Sequence, residues 1–188
     1  MIEIRWHGRG GQGAKTVALL LADAALAVGK YMQAFPEYGP ERMGAPVQSF
    51  NRISDQPIPM HCSVREPSVV AVLDPTLMAT VDVTGGLKPD GVLLVNTAQS
   101  PAEIKQQTGF AGTVYTIDAS KISRETIGRD IPNTPMLGAL VKVTGVLDFD
   151  AMVADTEKKL AKKFAHRPEV IEGNIKSIRR AAQEVRAA

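Results

Sequence analysis

"IEIRWHGRGGQGAKTVALLLADAALAVGKYMQAF", residues 2–35, decides the fold. Residues 2–6 alternate apolar and polar side chains, the period of a strand with one buried face. Gly8, Gly10 and Gly13 then spell G-x-G-x-x-G. Residues 14–29 form an apolar helical stretch, and its last residue, Gly29, suits the left-handed position that ends a helix. Residues 31–35 read as a second strand. Strand, glycine turn, helix and strand in this order make a βαβ pattern. Glycines let the backbone turn tightly and approach a ligand, and the loop amides with the helix N-terminus favour a phosphate. Arg9 and Lys15 add full positive charges beside it.

Two familiar phosphate sites fit poorly. A nucleotide-triphosphatase loop, G-x-x-x-x-G-K-[ST], has Gly8 and Gly13 at the right spacing, but Ala14 stands where lysine belongs and Lys15-Thr16 come one residue late. One residue on a helix is about 100° of rotation. An NAD site wants an acid at the end of the second strand. Here Phe35 is followed by Pro36 and only then Glu37. A phosphate-bearing ligand other than NAD fits best. Against it stands the reading in which the glycines serve only strand–helix packing, although packing gives no reason for the polar Gln12.

Outward from this unit, "PEYGPERMGAP" (36–46) reads as a loop, because three prolines and two glycines oppose regular structure. Residues 47–53 are strand-like. "VVAVLD" (69–74), "GVLLVNT" (91–97) and "TVYTID" (113–118) read as buried strands, the last two each followed by a short helical stretch. Residues 134–145 form an apolar helix. Phe149, Val153, Leu160 and Phe164 mark an amphipathic one, and Ile171, Ile175, Ile178, Ala182 and Val185 another. The expected fold is α/β: a three-layer, mostly parallel Rossmann-like sheet with helices on both faces and a helical C-terminal end, one domain over 1–188.

Composition narrows the function. Of 188 residues, 44% are hydrophobic and 22% charged, with a net charge of +2, an ordinary globular balance. The single cysteine, Cys62, excludes an internal disulfide and an all-cysteine zinc or iron–sulfur site. No signal peptide is read at the N-terminus, and no run is long enough to span a bilayer, so the expected location is cytoplasmic, with no membrane partner.

"IRWHGRGGQGAKT", "YMQAFPEYGPERMGAPVQSFNRIS", "VVAVLDPTLM", "GVLLVNT" and "IPNTPMLGALVKVTG" stand in this order along the chain. Together they resemble the gamma subunits of pyruvate:ferredoxin oxidoreductase, within the 2-oxoacid:ferredoxin oxidoreductases. The resemblance spans roughly residues 2–185. It implies a multi-subunit oxidoreductase that converts pyruvate, coenzyme A and oxidised ferredoxin to acetyl-CoA, carbon dioxide and reduced ferredoxin. It places thiamine diphosphate, magnesium and iron–sulfur clusters on the partner alpha, beta and delta (ferredoxin-like) subunits. It leaves this chain non-catalytic, contacting CoA through Gly8, Arg9, Gly10, Gly11, Gln12, Gly13 and Lys15. Glu37, Tyr38, Arg42 and Met43 of the tyrosine loop become candidates for CoA or subunit contact. A gamma subunit of, or shared with, a branched-chain 2-oxoacid enzyme fits the same motifs. A purely structural subunit and a free-standing NAD(P)-binding protein are the readings from other classes.

The remaining polar residues read as structural. Asn133 or Thr134 would cap the helix that follows, with Pro135 in its first turn and Gly138 allowing close packing. His7 reads as a hydrogen-bonded structural histidine, and His61 beside Cys62 has no partners for a metal. Residues 157–188 hold nine Lys or Arg against four Glu, a solvated helix face rather than a nucleic-acid site. The helix of residues 16–29 is apolar almost all round, which predicts that partner subunits cover its second face.

Overall fold

The computed structural model describes residues 1–38 and 44–187. A seven-stranded sheet is ordered β2-β3-β1-β4-β5-β6-β7. Its strands are β1 (Ile2–Arg9), β2 (Tyr31–Tyr38), β3 (Pro46–Ser54), β4 (Val69–Val72), β5 (Val92–Asn96), β6 (Thr113–Ile117) and β7 (Arg186–Ala187). β1, β4, β5 and β6 pair in parallel. β3 runs antiparallel between β1 and β2, and β7 caps β6 antiparallel. Five of the seven strands therefore point one way, in the mostly parallel sheet that the alternating pattern predicts.

The helices are α1 (Ala14–Ala27), α2 (Pro101–Thr108), α3 (Ala119–Ile127), α4 (Asn133–Thr144), α5 (Phe149–Lys163) and α6 (Pro168–Glu184). They cover the two faces unequally. Ile4, Trp6, Ala71 and Leu73 pack one face of the sheet into a core shared with α1, α3, α4, α5 and α6. Val70, Val72, Leu93 and Val95 point the other way, onto Ile104 of α2, Leu77 of a 3-10 turn at Pro75–Ala79, and Val83, Leu87 and Phe110. Alternate residues of β4 serve different cores, which is why it reads as a continuous apolar run.

A buried polar clip fastens α1. The Trp6 indole Nε1 donates to Asn51 Oδ1 (2.9 Å), and Asn51 Nδ2 donates to the Ala18 carbonyl (2.8 Å). Gly138 lets α4 lie against α6: a Cβ there would collide with the Ile178 carbonyl.

Four expectations are corrected. β2 does not pair with β1, because β3 returns as a hairpin strand between them; adjacency within the βαβ pattern was the wrong inference. The "loop" at 36–46 is shorter than its composition implies, since β2 continues to Tyr38 and β3 starts at Pro46. Pro36 is tolerated because β2 is an edge strand, where a missing amide donor costs least. The C-terminal helical stripe ends at Glu184, and the last residues form β7. Finally, α1 finds most of its cover within this chain, packing on β2, β3, α4 and α5. Only Leu19 and Leu26 among its large apolar side chains remain exposed.

Candidate functional site

β1 presents two chemistries on its two faces. Ile4, Trp6 and Gly8 face α1, while Arg5, His7 and Arg9, each two residues apart, face the other side. That second face carries a buried polar ladder. Arg5 Nε donates to His7 Nε2 (2.9 Å), and Arg5 Nη2 donates to the carbonyls of Val83 and Gly85 (3.0 and 2.7 Å). An imidazole nitrogen that accepts must be unprotonated. Burial, reinforced by the Arg5 charge and only partly opposed by Asp82, lowers the His7 pKa from 6.5 to about 4. His7 is thus a neutral structural histidine, as its position suggested.

Arg9 extends the ladder to the carboxyl ends of the strands. Its Nε pairs with Asp74 Oδ2 (3.1 Å), Nη1 donates to the Gly44 carbonyl (3.1 Å) and Nη2 to Thr76 Oγ1 (3.0 Å). Gln12 turns back into the same network. Its Oε1 accepts from the Arg9 amide (2.7 Å), and its Nε2 donates to Asp74 Oδ2 (2.8 Å). Burial alone would raise the Asp74 pKa, but hydrogen bonds from Thr76 and Gln12 and the Arg9 charge hold it below the ordinary carboxylate value. This network sits between β1 and β4. There the chain reverses its direction of travel across the sheet, the crevice where open α/β sheets usually bind ligands. Here the protein's own guanidinium fills it. Both side chains brace the loop, and the polar amide of Gln12 has a structural reason.

The other side of the loop is open. Positive φ falls on Gly11 (100°) and Gly13 (85°), whereas neither Gly8 nor Gly10 adopts it. Gly13 is the N-cap of α1. No side-chain cap bonds the first turn of α1, and no acidic residue stands in it. By contrast α2, α3 and α5 are capped by Ser100, Asp118 and Asp148. The α1 amides thus keep the partial positive charge of a helix start. They open onto a cleft of about 310 Å³.

The cleft is built from distant segments. Gly11, Gly13 and Thr16 form its loop side, Asn133 and Thr134 its α4 side, and Asn174 its α6 side. Leu20, Ile127, Ile131, Leu160, Phe164 and Val170 make an apolar wall. Arg129, Lys163 and Arg167 supply three cations, and among the described residues no carboxylate lines the cleft. Arg167 pairs with Glu169, while Arg129 and Lys163 have no carboxylate partner among the described residues. α3 and α5 bring their negative C-terminal ends here, and Arg129 and Lys163 stand at those ends. An anion with an apolar body suits such a surface.

Asn133 is not the helix cap that its position suggested. Pro132 is the N-cap, and Asn133 is the first residue of α4. Its Oδ1 accepts from the Thr134 amide (2.8 Å). Its Nδ2 lies against Gly13, where a Cβ would sit 2.5 Å away. The side chain is buried, and its Nδ2 has no hydrogen-bond acceptor among the described residues.

The other sequence candidates spread out. Lys15 is exposed on α1. Glu37 is exposed near the end of β2, two strands from β1, which at about 4.8 Å per strand puts the backbone roughly 10 Å from the glycine turn. That is too far for the ribose-binding acid of a Rossmann NAD site, so this arrangement removes the geometric basis of the NAD reading. The backbone of Tyr38 ends β2; Arg42 and Met43 lie outside the described residues. Arg129, Lys163 and Arg167 escaped the sequence reading, and Asn133 reads there only as a helix cap. The basic surplus of residues 157–188 was visible, but nothing local said that two of its members turn toward the glycine loop.

The fold and this cleft define a Rossmann-like α/β subunit with an anion-favouring site at its first helix. The chain belongs to the pyruvate ferredoxin/flavodoxin oxidoreductase family, which residues 3–184 match. Pyruvate synthase subunit PorC of Thermotoga maritima is 50% identical over 99% of this chain and 95% of its own. The crystal structure of pyruvate oxidoreductase subunit PORC from Thermotoga maritima superposes with a TM-score of 0.88 at 48% identity, covering 100% of this chain and 98% of that one. The common gamma subunit of the pyruvate/ketoisovalerate oxidoreductases of Pyrococcus abyssi is 46% identical over 98% of this chain and 97% of its own. A 2-oxoglutarate:ferredoxin oxidoreductase from Magnetococcus marinus, solved with 2-oxoglutarate, coenzyme A and succinyl-CoA bound, shares the fold. Its TM-score is 0.76 at 19% identity, covering 97% of this chain and 30% of that one. The chain is thus a gamma-type subunit of an oxidoreductase complex, as the ordered motifs implied. Among the described residues no helix is long and apolar enough to cross a membrane.

Proposed function

We propose that this chain is the non-catalytic gamma subunit of a pyruvate:ferredoxin oxidoreductase and helps hold coenzyme A. The assembled enzyme would convert pyruvate and CoA to acetyl-CoA and carbon dioxide while reducing ferredoxin. The observation that carries the CoA reading is the uncapped α1 N-terminus opening onto a cleft with three cations and, among the described residues, no carboxylate. The Magnetococcus enzyme of the same fold was solved with CoA bound, which supports the ligand class. Gly11, Gly13 and Lys15 would contact the ligand, with Gly8, Arg9, Gly10 and Gln12 setting the loop's shape. Glu37, Tyr38, Arg42 and Met43 stay candidates for CoA or subunit contact.

The proposal assigns thiamine diphosphate, magnesium and iron–sulfur clusters to the alpha, beta and delta (ferredoxin-like) partners. The residues here do not suit an iron–sulfur cluster or a metal ion: the only cysteine is exposed, and among the described residues no cluster of three His, Cys, Asp or Glu could hold a metal. The test is CoA kinetics on the assembled complex. Gly11→Val places a branched side chain in open space at φ +100°, beside the proposed ligand. The KM for CoA should rise with assembly intact; an unchanged KM in an assembled complex overturns the CoA reading.

A second reading has its own support in the Pyrococcus abyssi relative, whose name assigns it to two enzymes. In that reading this chain is shared with a branched-chain 2-oxoacid oxidoreductase. Affinity purification from the native cell would then recover two sets of catalytic subunits, against one set for a dedicated pyruvate enzyme.

A further inference from the structure

The two edges of the sheet differ. One ends in β7, two residues long; the other is β2, eight residues whose outer side pairs with nothing among the described residues. Natural edge strands are usually kept short or carry charges that discourage pairing. Residues 31–36, Tyr-Met-Gln-Ala-Phe-Pro, carry none. Exposed apolar side chains gather on the same side. Of the six large ones among the described residues, Leu19, Leu26 and Val28 lie on α1 and its C-cap, and Tyr31 opens β2. A fifth, Met60, gives its carbonyl to Gln33 Nε2 of β2 (2.8 Å); the sixth, Met1, precedes β1.

The pleat fixes which backbone groups of β2 face outward. Glu3 and His7 give their carbonyls to the amides of Ser68 and Leu73, away from β3. The even residues of β1 therefore turn to β3, and Trp6 bonds its opposite residue, Ser49. Ser49 is then spent, so its partner on β2, Pro36, turns outward, and with it Ala34 and Met32. Met32 and Ala34 each present an N–H and a carbonyl to solvent. Pro36 has no N–H, and the Lys30 N–H is taken by the Ala25 carbonyl (3.0 Å). The usable edge is thus two residues centred on Gln33, with a position lacking a free donor on either side.

That edge is its own complement. About a two-fold axis at Gln33, Met32 meets Ala34 of a second copy and Ala34 meets its Met32, each pair exchanging two bonds. Lys30 meets Pro36, so the positions without a free donor face each other outside the ladder. An axis at Ala34 would put Pro36 inside it. In the Gln33 register Tyr31, half exposed, stands opposite Phe35 of the second copy in a close, non-hydrogen-bonded pair. Phe35 in turn packs on Phe50, with ring centroids 5.3 Å apart.

We propose that the outer edge of β2 pairs with the same edge of a second copy of this chain, antiparallel about a two-fold axis at Gln33, so that two seven-stranded sheets become one. The contact is isologous and closes on itself, which removes the open edge from both copies.

Sedimentation of the full chain should show a dimer. Ala34→Pro removes one outward donor from each copy and touches no bond to β3, as Pro36 already shows to be tolerated. It should raise the dimer Kd about tenfold or more, since two of the four ladder bonds are lost. Tyr31→Lys, a change at an exposed position, should weaken the dimer in the same direction by placing a charge against Phe35. A chain that stays monomeric up to about 100 μM, a concentration that populates even weak specific pairs, overturns the proposal. So does a dimer that neither variant weakens. In the assembled complex, Ala34→Cys in a Cys62→Ser background should give an adduct of two copies of this chain with a short thiol cross-linker. Ala102→Cys, exposed on α2 in the same background, should give none. An Ala34→Cys adduct with a different subunit, or no adduct, overturns the second copy as the occupant of this edge.

Discussion

The two sides of the glycine loop are made of the same few residues and do opposite jobs. Toward β4, Arg9 and Gln12 close on Asp74 and fill the crevice where the sheet reverses direction. Toward α4, Gly11 and Gly13 leave backbone amides bare beside three cations. In a Rossmann dinucleotide site the crevice and the helix start serve one ligand together. Here they are separated: the crevice supplies rigidity, and the helix start is left for chemistry. The reason is β3. By inserting between β1 and β2 it brings Pro46 and the residues before it against the turn, with Gly10 donating to the Ala45 carbonyl (3.0 Å) and Gly44 donating to the Gly10 carbonyl (3.3 Å).

Breaking the closed side should give the largest effect. Asp74 accepts four hydrogen bonds: from Arg9 Nε, Gln12 Nε2, and the amide and hydroxyl of Thr76. Asp74→Ala leaves a guanidinium and an amide without their acceptor in a mostly buried setting. At ~0.5–1.5 kcal/mol per bond, and more for those to charged groups, the loss should be about 3–4 kcal/mol in urea unfolding. A loss below 1 kcal/mol would mean that solvent replaces the carboxylate and that the crevice is not sealed.

The open side should respond to volume. Gly13→Ala combines a left-handed φ of 85° with a Cβ placed 2.5 Å from Asn133 Nδ2. The strain costs about 1–2 kcal/mol, and displacing Asn133 adds to it, for about 2–3 kcal/mol together. Shifting Asn133 would also disturb the cleft proposed for CoA, so the KM for CoA in the complex should rise as well. Asp74→Ala should weigh on stability first, and that contrast separates the two sides.

Much of this was legible in the sequence, and what was not has identifiable causes. The strands, the apolar helices and the glycine turn follow from periodicities of two and 3.6, which depend on near neighbours. Strand order does not: residues 47–53 read as a strand, but nothing in them says that they pair with β1 ahead of β2. Arg9 was visible as a charge beside the loop. Its bond to Asp74, 65 residues later, is what no local pattern announces. Asn133 had the composition of a cap and the place of one. Only the packing of α4 on Gly13 turns its amide toward the cleft. The glycines that need their conformation, Gly11 and Gly13, include one outside the G-x-G-x-x-G pattern.

The polar face of β1 should show itself through pH. Folded His7 titrates near 4 against an ordinary 6.5, so folding favours its neutral form. Its contribution is fully present above pH 6.5 and is lost as pH falls from there toward 4. At ~1.4 kcal/mol per pH unit, about 2 kcal/mol should be gone by pH 5. His7→Gln keeps a side-chain acceptor for Arg5 but does not titrate. Its stability should therefore be flatter between pH 6.5 and 4.5 than that of the natural chain, as measured by urea midpoints across that range. Parallel pH profiles for the two proteins would exclude His7 as the source.

The smallest expected effect makes the sharpest comparison. Gly11 has the more extreme φ, 100°, yet a Cβ there meets nothing within 4 Å. Gly11→Ala should therefore cost only backbone strain, about 1 kcal/mol. Gly13→Ala carries strain of the same kind plus the contact with Asn133, so the difference between the two measures that contact. Adding Asn133→Ala should remove the difference: in the double variant the Gly13 substitution should cost no more than the Gly11 one. If Gly13→Ala stays as costly without the Asn133 side chain, its penalty is backbone strain, and the close approach of α4 does not dictate glycine at the head of α1. If the penalty collapses, two elements 120 residues apart fix one glycine between them, and the open side of the loop is shaped by α4 as much as by its own sequence.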